Sequence, residues 1–139
     1  TVSAYFLGIG VPEAKAVISA PELLSPSNNA TNVSLTPLFD WTDVANVSSY
    51  TLYYRKKGTT SGFWYKSGLT ASSYQFTASD NLLPSKIEPS TTYEWKVAVD
   101  KTDGSRVYSN LESFTTVSST AASAPELLSP SNNATNVSL

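Results

Sequence analysis

The sequence contains no cysteine and no histidine among its 139 residues, and only 14% of the residues are charged. These absences exclude disulfide bonds, thiolate and imidazole metal ligands, and catalysis by Ser-His-Asp or Cys-His groups. Nine basic and eleven acidic side chains give a net charge of −2. The chain therefore lacks the positive potential that attracts nucleic acids and anionic membranes. We therefore expect a protein that is not an enzyme, binds no cofactor and has no nucleic-acid partner.

Long apolar runs are also missing. The most apolar stretch near the start, residues 2–11, has about ten residues and contains two glycines, so it is too short to span a bilayer. Pairs of carboxylates remain as candidate hydrolytic groups, but Asp40, Asp43, Asp80, Asp100 and Asp103 lie where strand ends and turns favour a short polar acceptor. No Asp-x-Asp-x-Asp-Gly loop is present, and we expect no metal site.

The clearest feature that is present is an internal repeat. The sixteen residues APELLSPSNNATNVSL occupy positions 20–35 and occur again, without a change, at positions 124–139. Repetition at a fixed offset is the signature of modules arranged in tandem. Because the second copy is not followed here by the rest of the module, we expect the natural protein to be longer and residues 124–139 to open the next repeat.

The positions of the two copies divide the chain into four predicted parts. Residues 1–19 do not resemble the segment before the second copy and are interpreted as an N-terminal arm or the end of a preceding domain. Residues 20–117 form one domain, residues 118–123 a linker, and residues 124–139 the start of the next repeat. Leu127 and Leu128 repeat Leu23 and Leu24, so they are candidates for a strand that pairs with another copy of the module.

Between residues 21 and 117, short β-branched and aromatic runs alternate with Gly, Pro, Asn, Asp and Ser clusters, which indicates an all-β chain. The predicted strands are residues 22–24, 34–42, 49–56, 62–67, 73–77, 92–100 and 106–116. Seven strands in a domain of this size favour a Greek-key, immunoglobulin-like sandwich. Alternation assigns Tyr50 and Leu52, and Tyr93 and Trp95, to the core. Asp103-Gly104 predicts a tight hairpin between the last two strands.

The order of these elements resembles the fibronectin type III family. The segment LPSKIEPSTTYEWKV, residues 83–97, is similar to the corner that precedes the family's sixth strand. Trp41 matches the core tryptophan of the second strand, Tyr50 and Leu52 match the third strand, and residues 113–116 match the closing strand. The resemblance implies a seven-stranded sandwich over residues 21–117, and a corner tyrosine, Tyr93, whose hydroxyl bonds the backbone between residues 87 and 90.

Four aromatic residues form the candidate interaction face: Tyr53, Phe63, Trp64 and Tyr65. If neighbouring strands expose them together, they make a flat platform for a sugar or a protein surface. The alternative is that they cover the sheet as ordinary cross-strand pairs.

Three sequons make Asn29, Asn32 and Asn46 candidate glycosylation sites. Several sequons are expected by chance in a chain so rich in serine and threonine. Asparagine is also a common turn residue, and turns are the favoured interpretation of the three positions.

Two functions fit these observations. The first is a non-catalytic structural module of a tandem-repeat extracellular protein, which spaces or builds a cell-surface stalk, adhesin or filament. Its partners are then neighbouring copies of the module, joined covalently or by strand exchange. The second is an accessory module of a secreted polysaccharide-acting enzyme, with an aromatic face that contacts carbohydrate or a surface protein. Both place the protein outside the cell or on its surface.

Overall fold

The computed structural model describes residues 19–82 and 84–119, which fold into two packed β-sheets. The nine strands of these residues are β1 (Leu23–Ser25), β2 (Ala30–Val33), β3 (Leu38–Trp41), β4 (Val47–Lys56), β5 (Trp64–Leu69), β6 (Ser73–Gln75), β7 (Thr92–Lys101), β8 (Arg106–Tyr108) and β9 (Glu112–Thr116). The small sheet has the order β1-β3-β6. The large sheet has the order β2-β9-β7-β4-β5, and β8 also pairs with β7.

The predicted β-sandwich is confirmed, but the described residues form nine strands instead of seven, because residues 30–33 form a strand that was not predicted and the predicted last strand is interrupted. Residues 23–25 pair with β3 and form β1. After Pro26 the chain crosses to the large sheet, where residues 30–33 form β2, parallel to β9. Proline has no N–H for a sheet ladder, so a strand breaks readily there. Asn28 and Asn29 fix the crossing, because their side-chain oxygens accept hydrogen bonds from the backbone N–H and the hydroxyl of Ser113.

The predicted last strand, residues 106–116, divides into β8 and β9 at Ser109. The Ser109 hydroxyl oxygen accepts the N–H of Val97 at 2.9 Å, and the Ser109 N–H donates to the Val97 carbonyl at 2.8 Å. A side chain thus replaces one backbone partner, and the ladder is locally broken. The predicted strand 34–42 also begins late, at Leu38, because the Ser34 hydroxyl accepts the Thr36 N–H and turns the chain.

The core lies between the two sheets and consists largely of aromatic side chains. Its buried members are Leu23, Phe39, Trp41, Tyr50, Leu52, Tyr54, Phe76, Ile87, Tyr93, Trp95, Val97, Val99 and Phe114. Phe39 on β3 joins the sheets, with its ring centroid 5.0 Å from that of Trp95 and 5.9 Å from that of Phe114. The alternation of β4 and β7 explains this pattern, since every second residue of each strand points inward.

Tyr93 forms the corner that leads into β7. Its buried hydroxyl accepts the Glu88 N–H at 2.8 Å and donates to the Lys86 carbonyl at 3.3 Å. Burial raises the pKa of Tyr93 above its ordinary value, so the hydroxyl keeps its proton. The corner fixes the loop that precedes β7 against the core.

Candidate functional site

The four residues of the predicted aromatic platform lie on two different faces of the large sheet. Tyr53 on β4 is opposite Tyr65 on β5, and both face outward. Trp64 is opposite the buried Tyr54, so its side chain starts from the inner face of β5. Since neighbouring residues of a strand point to opposite faces, Trp64 and Tyr65 belong to separate surfaces.

The first surface is the outer aromatic cluster, formed by Tyr53, Phe63, Tyr65 and Tyr108. The ring of Tyr53 lies at its centre, with centroids 6.2 Å from Phe63, 6.1 Å from Tyr65 and 6.4 Å from Tyr108. These separations are typical of interacting aromatic pairs. Tyr108 was not among the predicted residues, although the hairpin at Asp103-Gly104 places it opposite Ala98, on the face of β7 that Lys96 shares.

Cationic side chains lie over the rings of this cluster. The Lys96 ammonium is 4.9 Å from the centroid of Phe63 and 4.8 Å from that of Tyr108. The Arg55 guanidinium is 4.2 Å from the centroid of Phe63. Cation–π contacts of this kind hold a cation where a stacked ligand would otherwise lie. The rings of Tyr53, Phe63 and Tyr108 are therefore already in contact with a cation.

Ion pairs complete the outer face. Arg55 pairs with Glu94, and Arg106 contacts both carboxylate oxygens of Asp100. The hydrogen bond from Arg106 holds the pKa of Asp100 below its ordinary value. The Arg106–Asp100 pair is substantially exposed, and such pairs contribute little to stability. Together with the cation–π contacts, they leave a face whose charges are matched internally.

The second surface is a cleft between β5 and β6, the edge strands of the two sheets, which we call the edge cleft. Its volume is about 310 Å³, and it is lined mainly by Tyr54, Trp64, Lys66, Tyr74, Phe76 and Asp80. The cleft exists because β6 has only three residues and does not cover the inner face of β5. Its floor is formed by core side chains, including Phe76 and Tyr54.

Asp80 and Lys66 supply the charges of the edge cleft and lie 3.7 Å apart. The Tyr74 hydroxyl donates to Asp80 at 2.7 Å, and the Thr77 N–H donates to the same carboxylate at 2.9 Å. Burial alone would raise the pKa of Asp80, but the bonds from Thr77 and Tyr74 hold it below its ordinary value. Contact with the Tyr74 hydroxyl and the charge of Asp80 raise the pKa of Lys66. Both groups are therefore ionised at neutral pH, and their charges cancel.

Tyr54 closes the floor of the edge cleft. Its hydroxyl donates to the Ser85 carbonyl at 2.7 Å. Burial raises the pKa of Tyr54 to about 12, so it stays a neutral donor. The floor is therefore fixed by a hydrogen bond to the loop that follows Asp80.

The three sequon asparagines all adopt left-handed backbone conformations, with φ of 63° at Asn29, 55° at Asn32 and 58° at Asn46. Asparagine tolerates this region better than other residues with a Cβ atom. The Asn29 side chain is also bonded to Ser113. Asn29 therefore has a structural role at the crossing, Asn46 in a turn, and Asn32 in the part of β2 where the register shifts.

The candidate inter-repeat residues Leu127 and Leu128 lie outside the described residues, as do residues 1–18. Their counterparts in the first copy differ, since Leu23 packs in the core and Leu24 is exposed. None of the residues that the structure describes forms a helix long and apolar enough to cross a bilayer. Within residues 19–82 and 84–119, no three acidic side chains come together as metal ligands.

The comparisons with known proteins bear on the fold alone. No family model matches the sequence, and no curated protein is similar to it. Among solved structures, the chain is similar to the fibronectin type III domain of human fibronectin type III domain containing protein 3, with a TM-score of 0.51 and 20% identity. The match covers 82% of this chain and 99% of that domain. The fold is thus that of a fibronectin type III domain, and the resemblance noted in the sequence is confirmed at this level.

Proposed function

We propose that this chain contributes a non-catalytic structural module to a tandem-repeat extracellular protein, where consecutive copies space or build a stalk, adhesin or filament at the cell surface. The fold itself is that of a structural module. The observation that carries the proposal is the identity of residues 20–35 with residues 124–139, combined with the role of the first copy in the fold.

The first copy provides both β1 and β2. Leu23 enters the core and is paired with Trp41 on β3. β2 lies parallel to β9, and the Val117 N–H donates to the Val33 carbonyl at 2.8 Å. The repeated segment therefore supplies one edge strand to each sheet. A second copy without a changed residue retains every side chain needed to start the same fold again.

The domain is also suited to end-to-end extension, because the chain enters and leaves at opposite ends. Near the entrance, the Thr42 N–H donates to the Glu22 carbonyl, beside the loop that leads into β4. At the exit, Val117 accepts the N–H of Ser90, next to the start of β7. With ten residues in β4 and about 3.3 Å per residue, each copy adds roughly 35 Å of length. The length of the proposed array is therefore set by the number of copies.

The surface chemistry supports exposure at a cell surface. Four ion pairs engage half of the eight basic residues that the structure describes, and the net charge of the chain is only −2, so little unbalanced charge is left for non-specific binding. The rest of the surface is rich in serine and threonine. A neutral, hydroxyl-rich surface of this kind suits a spacer whose copies must not adhere to each other.

The length of concatenated modules tests the proposal. Polypeptides with two or four consecutive copies of residues 20–123 are compared with the full chain by small-angle X-ray scattering. We expect the maximum dimension to grow by about 35 Å per added copy. The matched control carries Leu23→Asp in the last copy, which should unfold that copy alone. A maximum dimension that stays constant as copies are added would contradict the spacing role.

The location is tested separately on cells that produce the protein. A protease added to intact cells should remove the protein, and an antibody raised against residues 20–119 should label the unpermeabilised surface. Protection from the protease until the cells are lysed would contradict an extracellular role.

A further inference from the structure

Trp64 has an exposure that the fold does not require. Of the three tryptophans, Trp41 and Trp95 are 1% and 0% exposed, whereas Trp64 is 42% exposed at the rim of the edge cleft. Exposing a large apolar side chain forgoes the stabilisation that its burial would give. Tryptophan beside a concave surface is also the residue type most enriched at energetically important binding contacts. The position of Trp64 therefore points to a ligand.

The shape of the edge cleft fits a small ligand. One wall is the inner face of β5, which carries Trp64 and Lys66, and the other wall is formed by Tyr74 and the loop that contains Asp80. Its volume of about 310 Å³ is at the lower end of the range for small-molecule sites. Phe76 and Tyr54 make the floor rigid, because both belong to the core.

The charges of the cleft select against charged ligands. Lys66 and Asp80 lie 3.7 Å apart and neutralise each other. An anionic ligand that bound Lys66 would meet the carboxylate of Asp80, and a cationic ligand would meet the ammonium of Lys66. A neutral ligand with hydroxyl groups avoids both conflicts, since a carboxylate accepts from hydroxyls and an ammonium donates to them.

We propose that the edge cleft binds a neutral saccharide, with Trp64 as the stacking surface and Asp80 and Lys66 as hydrogen-bonding partners. A sugar ring presents C–H groups on one face and hydroxyls at its rim, which matches an indole wall beside a carboxylate–ammonium pair. The outer aromatic cluster fits a sugar less well, because Lys96 lies over the rings of Phe63 and Tyr108 and Arg55 lies over that of Phe63. The saccharide site is separate from the spacing role, since a module can extend an array without binding a sugar.

Nuclear magnetic resonance of the full chain tests the site directly, because each tryptophan has its own indole N–H signal. The Trp64 signal is assigned by its loss in Trp64→Phe. The probes are cellohexaose, xylohexaose, mannohexaose and laminarihexaose, each titrated to about 10 mM to detect millimolar dissociation constants. Hexagalacturonate is the charged comparison. We expect at least one neutral hexasaccharide to shift the Trp64 signal while the buried Trp41 and Trp95 signals stay in place.

Variants separate stacking from general surface contact. Trp64→Ala lacks the indole signal, so its titration is followed by the backbone amide signals of Lys66 and Tyr74, which line the same cleft. This variant should bind about tenfold or more weakly, as loss of a central aromatic contact does. Tyr108→Ala is the matched control, because Tyr108 is similarly exposed at 46% but lies in the outer aromatic cluster. It should leave the affinity unchanged within about twofold. Lys66→Met, which removes an exposed ammonium and leaves the indole in place, should also weaken binding, and circular dichroism verifies that each variant is folded.

Several results would overturn the proposal. One is the absence of any shift at Trp64 with all four neutral probes, and another is tighter binding of hexagalacturonate than of every neutral probe. Binding that is lost in Tyr108→Ala but kept in Trp64→Ala would place the sugar on the other face. A synthetic peptide of residues 124–139 is the last probe. If this peptide shifts the Trp64 signal and the sugars do not, the cleft is a contact between modules.

Discussion

Replacement of Tyr93 by phenylalanine removes one hydroxyl and leaves the aromatic ring of the corner in the core. In the wild-type protein this hydroxyl accepts the Glu88 N–H at 2.8 Å and donates to the Lys86 carbonyl at 3.3 Å. The first bond is the shorter, and its donor has no other partner among the described residues. Tyr93→Phe therefore leaves a partly buried N–H unpaired.

The magnitude follows from that unpaired donor. Leaving a buried donor unsatisfied costs about 1 to 3 kcal/mol, and the partial burial of the Glu88 N–H favours the lower half of that range. We expect Tyr93→Phe to lower the free energy of unfolding by about 1 to 2 kcal/mol. For a domain of this size the melting temperature should fall by roughly 5 to 15 °C. The variant should still fold, since a typical domain has about 5 to 15 kcal/mol of stability.

Urea unfolding, followed by tryptophan fluorescence, measures the change, and two further variants calibrate it. Tyr54→Phe removes a donor from the Ser85 carbonyl and leaves no N–H unpaired, so its cost should be smaller. Tyr65→Phe changes a residue that is 67% exposed and should have almost no effect. The slope of the free energy against urea should be the same in all variants, which shows that the folded state is equally compact.

The order of the three variants decides whether the reasoning holds. If Tyr93→Phe is as stable as Tyr65→Phe, the corner hydroxyl contributes nothing and the backbone around Glu88 is hydrated. If Tyr54→Phe is the most destabilised, a lost carbonyl partner outweighs a lost N–H partner at this site. Either result would refute the argument from the unpaired donor.

Substitutions at three further positions, with one control at a fourth, test the turn and charge assignments. Asn46→Gly should preserve stability, whereas Asn46→Ala should lower it by about 1 kcal/mol in thermal unfolding, because φ is 58° at this position. The lowered pKa of Asp80 means that its carboxylate stabilises the fold above about pH 4 and that this contribution is lost as the pH falls further. Asp80→Asn should therefore lose less stability in acid than the wild type does. The control Asp43→Asn, at an exposed position, should behave like the wild type. The pKa of Glu112 is shifted in the opposite direction, since burial and then the charge of Glu22 raise it. The ionised form of Glu112 therefore lowers the free energy of unfolding as the pH rises through that pKa. Glu112→Gln should raise the melting temperature at pH 7, and a lower one would show that its carboxylate has a stabilising partner.

Alternation in the sequence was sufficient to predict the buried faces of β4 and β7. Tyr50 and Leu52 on β4, and Tyr93 and Trp95 on β7, lie in the core as their spacing indicated. The period of two is decisive here because both strands are long and each has one face against the other sheet. The hairpin signal of Asp103-Gly104 was equally local, and Gly104 has the positive φ that this turn requires.

The strand breaks and the division of the aromatic residues could not be predicted in the same way. The passage from β1 to β2 depends on hydrogen bonds between Asn28, Asn29 and Ser113, which are far apart in the sequence. The run Phe63, Trp64, Tyr65 has no alternation of its own, because all three residues are aromatic. Which of them faces outward depends on the register with β4, and that register is a tertiary contact.

The position of the edge cleft relative to the repeat makes binding and spacing physically compatible. None of the residues that line the cleft belongs to residues 20–35, and the cleft opens between β5 and β6 on the flank of the domain. In the proposed array, a following copy of the module would begin after the exit at Val117. Each copy would then add one weak saccharide site along the array, and several such sites on one polymer can raise the overall affinity by about 10² to 10⁴ without a new contact. On the proposed function, a millimolar site on each module would then be sufficient for firm attachment of a long array, and the spacing would set which sites bind at the same time.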